Sequence, residues 1–181
     1  MKKLYYLLFL VIPFCTLAQP TVQQSDEPVI GLAWVTGIDP NYASPITAGG
    51  ANQTWDYSAL QFVDTGGALF LDVEGTPYQT TFPNANLTVH DVVKDEWTYF
   101  HTTTTGVYVS GIDSAGTNLV FNPEWLYMPV PFTYLDSRTS TARIQIDTNF
   151  MGTPARAVRT FKDDFNADGW GTLKVPGNTF T

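Results

Sequence analysis

The sequence predicts an all-β protein: an antiparallel β-sandwich, jelly-roll-like or immunoglobulin-like, in a single domain. Three observations lead to this prediction. No stretch after residue 18 shows helical periodicity over three turns, the strand-forming residues Thr, Val, Tyr, Phe and Trp are abundant, and Gly, Pro, Asn and Asp recur every several residues. Many short strands separated by frequent turns are typical of a sandwich or barrel.

Several strands can be placed from runs in which apolar and polar residues tend to alternate, so that one face of each run meets the core and the other meets water. The predicted strands of the central region are 69–73, 86–90, 96–102, 106–112 and 118–121. Two longer runs follow at 142–150 and 155–162. Arg143 and Arg156 lie on these runs, either across from each other or across from carboxylates, because the sequence does not fix the register.

Segment 122–132 is predicted to be an extended crossing segment at the sandwich edge, because its three prolines remove three ladder donors from any central strand. Trp125 and Tyr127 lie in this segment. Their edge position makes them the predicted exposed pair for stacking a sugar ring. The alternative is that the five tryptophans of the chain simply fill the core.

The N-terminal residues 1–18 are predicted to be a secretory signal peptide, with two lysines, a short apolar run and small residues before the cut. The apolar run is shorter than the roughly 20 residues of a membrane span. Lipidation of Cys15 is the alternative, and the bulky Phe14 before it argues against that reading. Cleavage removes the only cysteine, so a disulfide, a cysteine nucleophile and a thiolate metal site are excluded. The predicted location is secreted or on the outer cell surface.

After the signal peptide, 19–28 is predicted to be a flexible lead-in and 29–181 the β-sandwich domain. The chain closes with a predicted strand at 169–175, a turn at 176–178 and the start of a return strand. A domain rarely stops inside a strand, because the unpaired ladder would expose an edge. The domain is therefore expected to be truncated, either because the natural protein continues or because the sequence is a fragment.

The charge of the chain is strongly negative and uneven. The net charge of −8 becomes −10 without Lys2 and Lys3, since 9 − 2 = 7 basic residues then face 17 acidic ones. Lys94 is the only basic residue between Lys3 and Arg138. An acidic surface repels phosphate backbones, so nucleic acid is excluded as a partner. The acidity is expected to keep an exported protein soluble; a specific cation-binding role is the alternative.

The sharpest local motif runs from Asp164 to Gly169. Asp164, Asn166 and Asp168 place three oxygen side chains at alternate positions before a glycine, as in the first half of a calcium loop. The twelfth position is Val175 instead of a bidentate carboxylate, although Asp163 could supply a charge. The competing interpretation is a turn whose side chains bond backbone amides. Calcium is the one cofactor considered; otherwise none is expected.

Catalytic residues are not assigned. The two histidines, His90 and His101, lie in strand-like runs without a partner oriented for nucleophilic catalysis, although Asp91 or Asp95 could complete a metal site. Glycoside hydrolysis needs two facing carboxylates, and with 17 acidic residues some pairs face by chance. The acids considered for such a pair are Asp91, Asp95, Glu96 and Asp136.

Four short segments carry a family resemblance: 46–60, 82–87, 129–134 and 168–173. With them, the chain resembles the N-terminal region of bacterial proteins exported through the type IX secretion system, which usually end in a C-terminal sorting domain. The sorting domain does not occur within these 181 residues. The resemblance implies secretion to the cell surface or medium and a β-rich module, and it offers no catalytic residues to transfer.

These observations predict a non-catalytic extracellular module with a role in adhesion or spacing. A carbohydrate- or calcium-dependent binding module is the second hypothesis, and a secreted hydrolase is the third. The expected partners are surface glycans or other extracellular proteins, with no nucleic acid and no membrane span.

Overall fold

The computed structural model describes residues 19–41, 48–92, 94–114 and 116–181. The predicted signal peptide lies outside the described residues. The described regular structure is β, apart from a 3-10 helix at Gln24–Asp26. No helix among the described residues has the length and apolar character needed to cross a membrane.

Thirteen strands are described. They are β1 (Thr21–Val22), β2 (Ala33–Ile38), β3 (Gly50–Asp56), β4 (Asp64–Leu71), β5 (Leu87–Asp91), β6 (Glu96–Thr103), β7 (Gly106–Ser114), β8 (Thr117–Pro129), β9 (Phe132–Thr133), β10 (Ser137–Phe150), β11 (Thr153–Asn166), β12 (Gly169–Val175) and β13 (Asn178–Phe180). The predicted all-β class is thus confirmed, and each predicted strand overlaps an observed one.

Eight strands form one antiparallel sheet in the order β11-β10-β8-β7-β6-β5-β4-β2. Neighbours in this sheet follow chain order as in a meander, except that β3 and β9 leave it for the two smaller sheets. Jelly rolls and immunoglobulin domains instead use Greek-key crossings, which this sheet does not contain. A two-stranded sheet pairs β1 with β9, and a three-stranded sheet orders β13-β12-β3, with β12 and β3 parallel.

The proline-rich segment is where the sequence prediction is wrong. Residues up to Pro129 belong to β8, which lies inside the large sheet between β7 and β10. The register between β7 and β8 shifts between the pairs Val109–Trp125 and Gly111–Val120. Residues 121–124 therefore lie opposite one residue of β7. Pro123 falls in this bulge, where its missing N–H does not interrupt a regular ladder.

The main core lies on one face of the large sheet. Side chains from six neighbouring strands, β4 to β8 and β10, are buried there. They are Phe70, Leu87, Val89, Phe100, Val107, Val109, Phe121, Ala142 and Ile144. Alternation of side chains along each strand produces this continuous apolar face.

A second, smaller core covers the opposite face. Tyr99 of β6 packs with Val73 and Phe82 from the segment 72–86, and the Phe82 and Tyr99 rings stack with centroids 4.6 Å apart. The Tyr99 hydroxyl donates to Thr76 Oγ1 at 3.1 Å. The segment 72–86 is thereby fixed to the sheet.

The predicted lead-in, 19–28, has defined structure. Thr21 and Val22 pair with Thr133 and Phe132, and the Thr21 and Thr133 hydroxyls are 2.9 Å apart. At the other end, the predicted strand-turn-strand pattern is observed as β12 and β13.

Candidate functional site

A trough of about 400 Å³ lies across β2, β4, β5 and β6. The ladder places Trp34 opposite Ala68, and Asp91 opposite Glu96. The trough thus has an aromatic side on β2 and an acidic side on β5 and β6. Its lining comprises Trp34, Thr36, Ile38, Gly66, Gly67, Ala68, Val89, Asp91, Lys94, Glu96 and Thr98.

The floor of the trough is formed by small residues of β4. A Cβ atom on Gly66 would lie 3.1 Å from Thr36 Oγ1, and one on Gly67 would lie 3.2 Å from the Trp34 carbonyl oxygen. Glycine inside a strand weakens it and often marks a place where a ligand or another backbone approaches closely. Gly66 pairs with Thr36 and lies on the same face of the sheet as Trp34 and Ala68, so its missing side chain leaves the floor open between the two sides.

The aromatic side is the Trp34 indole. Its ring packs edge-to-face against the buried Phe70 ring, with centroids 4.9 Å apart and an interplanar angle of 78°. Trp34 nevertheless remains 36% exposed. The indole is therefore anchored by the core and presents open surface to the trough.

The acidic side consists of two carboxylates and one lysine. Lys94, in the turn between β5 and β6, places its Nζ 3.2 Å from Asp91 Oδ2 and donates its backbone N–H to Asp91 Oδ1. Among the described residues, the Glu96 carboxylate has no hydrogen-bond or ion-pair partner, although the Glu96 backbone belongs to the β5–β6 and β6–β7 ladders. In the trough, the Asp91 carboxylate is therefore held and partly neutralised by Lys94, and the neighbouring Glu96 carboxylate is open to a ligand.

The predicted sugar platform at Trp125 and Tyr127 lies elsewhere, in a groove of about 440 Å³ between β8 and β11. Trp125 is half-buried; its ring stacks on Phe161 with centroids 5.7 Å apart, and its Nε1 donates across β10 to Asp163. Tyr127 is 47% exposed. Because the indole already packs against the core, Tyr127 is the exposed aromatic of this groove.

The three residues of the predicted calcium motif, Asp164, Asn166 and Asp168, are neighbours in the chain but do not form a metal-binding group. Asp164 lines the same groove as Tyr127, its Oδ1 accepts the Thr139 hydroxyl at 2.6 Å, and Lys162 Nζ lies 3.8 Å from its other oxygen. Asp164 and Asn166 belong to β11, and Asp168 follows the strand. Within the described ranges, no three His, Asp or Glu side chains group closely enough to hold a metal ion.

The two histidines lie in separate contacts. His90 stacks on Trp97 at 4.1 Å and its Nε2 is 3.0 Å from Asp95 Oδ1. His101 Nδ1 is 2.8 Å from Glu124 Oε2. Their strand positions agree with the sequence interpretation.

A buried serine joins the second histidine contact. Ser110 donates to Glu124 Oε1 at 2.7 Å, so the carboxylate stands between the hydroxyl and the imidazole of His101. In a nucleophilic triad the imidazole takes that middle position and receives the hydroxyl proton. This arrangement instead satisfies a buried hydroxyl.

The acids considered for hydrolysis are divided among three places. Asp91 and Glu96 are opposite each other in the trough. Asp95 contacts His90, and Asp136 accepts the Thr133 backbone N–H at 2.8 Å.

Comparison with protein-family models, curated proteins and solved structures gives no match. The resemblance to type IX cargo proteins therefore stays a prediction. The sequence also contained an unused signal for the trough: the pair Gly66-Gly67 before the apolar run of β4, together with Trp34 in a run free of charges.

Proposed function

We propose that the protein is a non-catalytic, exported adhesion module that binds a saccharide in the trough between Trp34 and the Asp91–Glu96 pair. The observation that carries this proposal is an anchored, partly open indole facing hydrogen-bonding side chains across a floor of small residues. A sugar ring presents an apolar C–H face and polar hydroxyls, which match these two sides. A cavity of this size is typical of small-molecule sites.

Export is the second component of the proposal. It is supported by the signal-peptide pattern of residues 1–18, the lack of cysteine after it and the acidic net charge. The resemblance to type IX cargo supports the same location, secreted or on the outer cell surface. The partner is then a glycan of a cell surface or of an extracellular protein.

The placement of the two carboxylates supports binding over hydrolysis. Directly opposed residues of an antiparallel pair have Cβ atoms about 5 Å apart, and a retaining glycosidase also has its carboxyl groups about 5 Å apart. However, the glycosidase carboxyl groups flank the scissile bond. Asp91 and Glu96 are neighbours on the same side of the trough, so both approach a ligand from one direction.

The test is a glycan array followed by calorimetric titration of the mature protein with its best ligand. Trp34→Ala removes the aromatic side, and Gly66→Val fills the floor while keeping the indole. Both should weaken binding at least tenfold, equivalent to about 1.4 kcal/mol. Tyr127→Ala is the control, because it removes an exposed aromatic from the other groove.

Circular dichroism and thermal melting verify that each variant is folded. Absence of glycan binding by the wild type, or full binding by both folded trough variants, would refute the proposal. Loss of binding in Tyr127→Ala alone would move the site to the β8–β11 groove. Release of cleaved sugar that stops in Glu96→Gln would replace binding with hydrolysis.

A further inference from the structure

We infer that the saccharide bound in this trough is an amino sugar with a free ammonium group, whose ring stacks on Trp34 while its ammonium meets the carboxylates of Asp91 and Glu96. This inference rests on the proposed function and specifies its ligand class. It follows from the charge balance of the trough and from the spacing of its two sides.

The acidic side has an unbalanced negative charge. Asp91 and Glu96 are directly opposite in the β5–β6 ladder, an arrangement in which like charges destabilise a sheet. Lys94 neutralises one of them through Asp91 at 3.2 Å, and the lysine side chain is 72% exposed. Among the charged groups lining the trough, this leaves one carboxylate in excess. A ligand cation relieves the repulsion that the fold retains.

The surrounding chain strengthens this preference. Lys94 is the only basic residue in 19–137, which contains 13 Asp and Glu residues. The summed field of such a surface concentrates cations and repels anions. Sialic acids and sulfated or phosphorylated glycans are therefore disfavoured relative to a glycan with amines.

The spacing of the two sides distinguishes an amino sugar from a bare ion. β2 and β6 are separated by β4 and β5, so three strand spacings, about 14 Å, lie between the backbones of Trp34 and Glu96. An inorganic cation at the carboxylates would leave the indole and the glycine floor uncovered. A pyranose ring with a pendant ammonium offers an apolar face to the indole and a cation to the carboxylates.

The experiment compares three β-1,4-linked tetrasaccharides by calorimetry: glucosamine, its N-acetylated form and glucose. The first two differ in the charge of the amine and in the acetyl group, and the glucose tetramer is a neutral ligand without either group. We expect the glucosamine tetramer to bind at least tenfold more tightly than the N-acetylated form, with the preference falling at high salt because exposed charges are screened. Glu96→Gln should reduce the preference below about threefold, equivalent to about 0.7 kcal/mol.

Two controls separate a built site from adsorption to an acidic surface. Glu74→Gln removes one exposed carboxylate in the segment 72–86, outside the trough lining, and should leave the preference intact. Trp34→Ala should weaken the glucosamine tetramer at least tenfold. Retained binding in folded Trp34→Ala would show adsorption only and would overturn the inference.

The remaining outcomes distinguish the two proposals. Equal or tighter binding of the neutral tetramers, lost in Trp34→Ala, would overturn the amino-sugar inference and leave the saccharide proposal standing. If the glycan array and these three ligands all show no binding, both fail. A calcium titration that shows binding dependent on Glu96 and not on Trp34 would assign the carboxylates to an inorganic ion and overturn the inference.

Discussion

Replacing Gly111 with alanine tests how the segment 72–86 is held against the large sheet. A Cβ atom at this position would lie 1.9 Å from Cε1 of Phe82 and 2.7 Å from the Leu119 carbonyl oxygen. Neither contact is possible without movement. The Phe82 ring, which is 2% exposed, must leave its position or the strands must separate.

The expected loss of stability follows from these contacts. Overpacking a core costs about 1–3 kcal/mol, and complete loss of a buried phenylalanine about 3–5 kcal/mol. We expect Gly111→Ala to lower the free energy of unfolding by about 2–4 kcal/mol, between those two limits. For a chain of this size, the melting temperature should fall by about 5–15 °C.

The assay is urea denaturation followed by tryptophan fluorescence, with Gly66→Ala as the matched control. The nearest atom to a Cβ on Gly66 is a threonine hydroxyl at 3.1 Å, and alanine is otherwise better than glycine inside a strand by about 0.5–1 kcal/mol. A double-mutant cycle with Phe82→Ala should show a coupling of at least about 1 kcal/mol. Unchanged or increased stability of Gly111→Ala, or additive effects in the cycle, would refute this packing.

Three further predictions concern the surface. Val35 is 77% exposed on the edge strand β2. Val35→Lys should reduce self-association measured by light scattering and change the free energy of unfolding by less than about 0.5 kcal/mol. Unchanged self-association would contradict this prediction. A side-chain hydrogen bond from Arg156 lowers the pKa of Asp147 below its ordinary value of 3.8. The pair therefore stabilises the fold at pH values above 3.8, and this stabilisation is lost as the pH falls through the lowered pKa. Arg156→Gln should therefore raise the Asp147 pKa in an NMR titration, whereas Lys162→Gln should not, and an unshifted Asp147 would disprove the contact. Millimolar calcium or EDTA should leave the melting temperature unchanged, because Asp164 already contacts Thr139 and Lys162; a calcium-dependent rise lost in Asp164→Asn would restore the predicted calcium site.

The strands were predictable from sequence because their signals are local. The run 96–102 alternates clearly and is observed within β6, and β12 and β13 follow the predicted strand-turn-strand pattern. The error at 122–132 arose because three prolines were counted as three lost ladder donors. Pro123 instead lies in a bulge opposite Ser110, which is a relation between two strands and cannot be read from one. Pro129 is the last residue of β8, and Pro131 lies beyond it.

The trough could not be predicted because it combines residues far apart in sequence. Trp34 and Glu96 are 62 positions apart (96 − 34), and their relation requires the register of four strands. A shift of one residue would turn Trp34 to the other face of the sheet. The predicted pair Trp125 and Tyr127 illustrates the converse. The two residues lie close in sequence and line one groove, yet the Trp125 ring packs against the main core.

The edge strand that carries Trp34 lacks the features that commonly protect a sheet edge. Within the described part of the chain, β2 pairs only with β4 in the large sheet, and it contains no charged residue or proline, whereas the opposite edge, β11, has Arg156, Arg159 and Lys162. Proteins commonly protect sheet edges with inward-pointing charges, prolines or bulges. On β2, an inward charge would enter the trough, and a proline or bulge would alter the register that sets Trp34 opposite Ala68. Under the proposed function, a binding trough at the margin of the sheet would favour an edge without these features. A saccharide packed on Trp34 would then stabilise a strand that has no second ladder partner among the described residues.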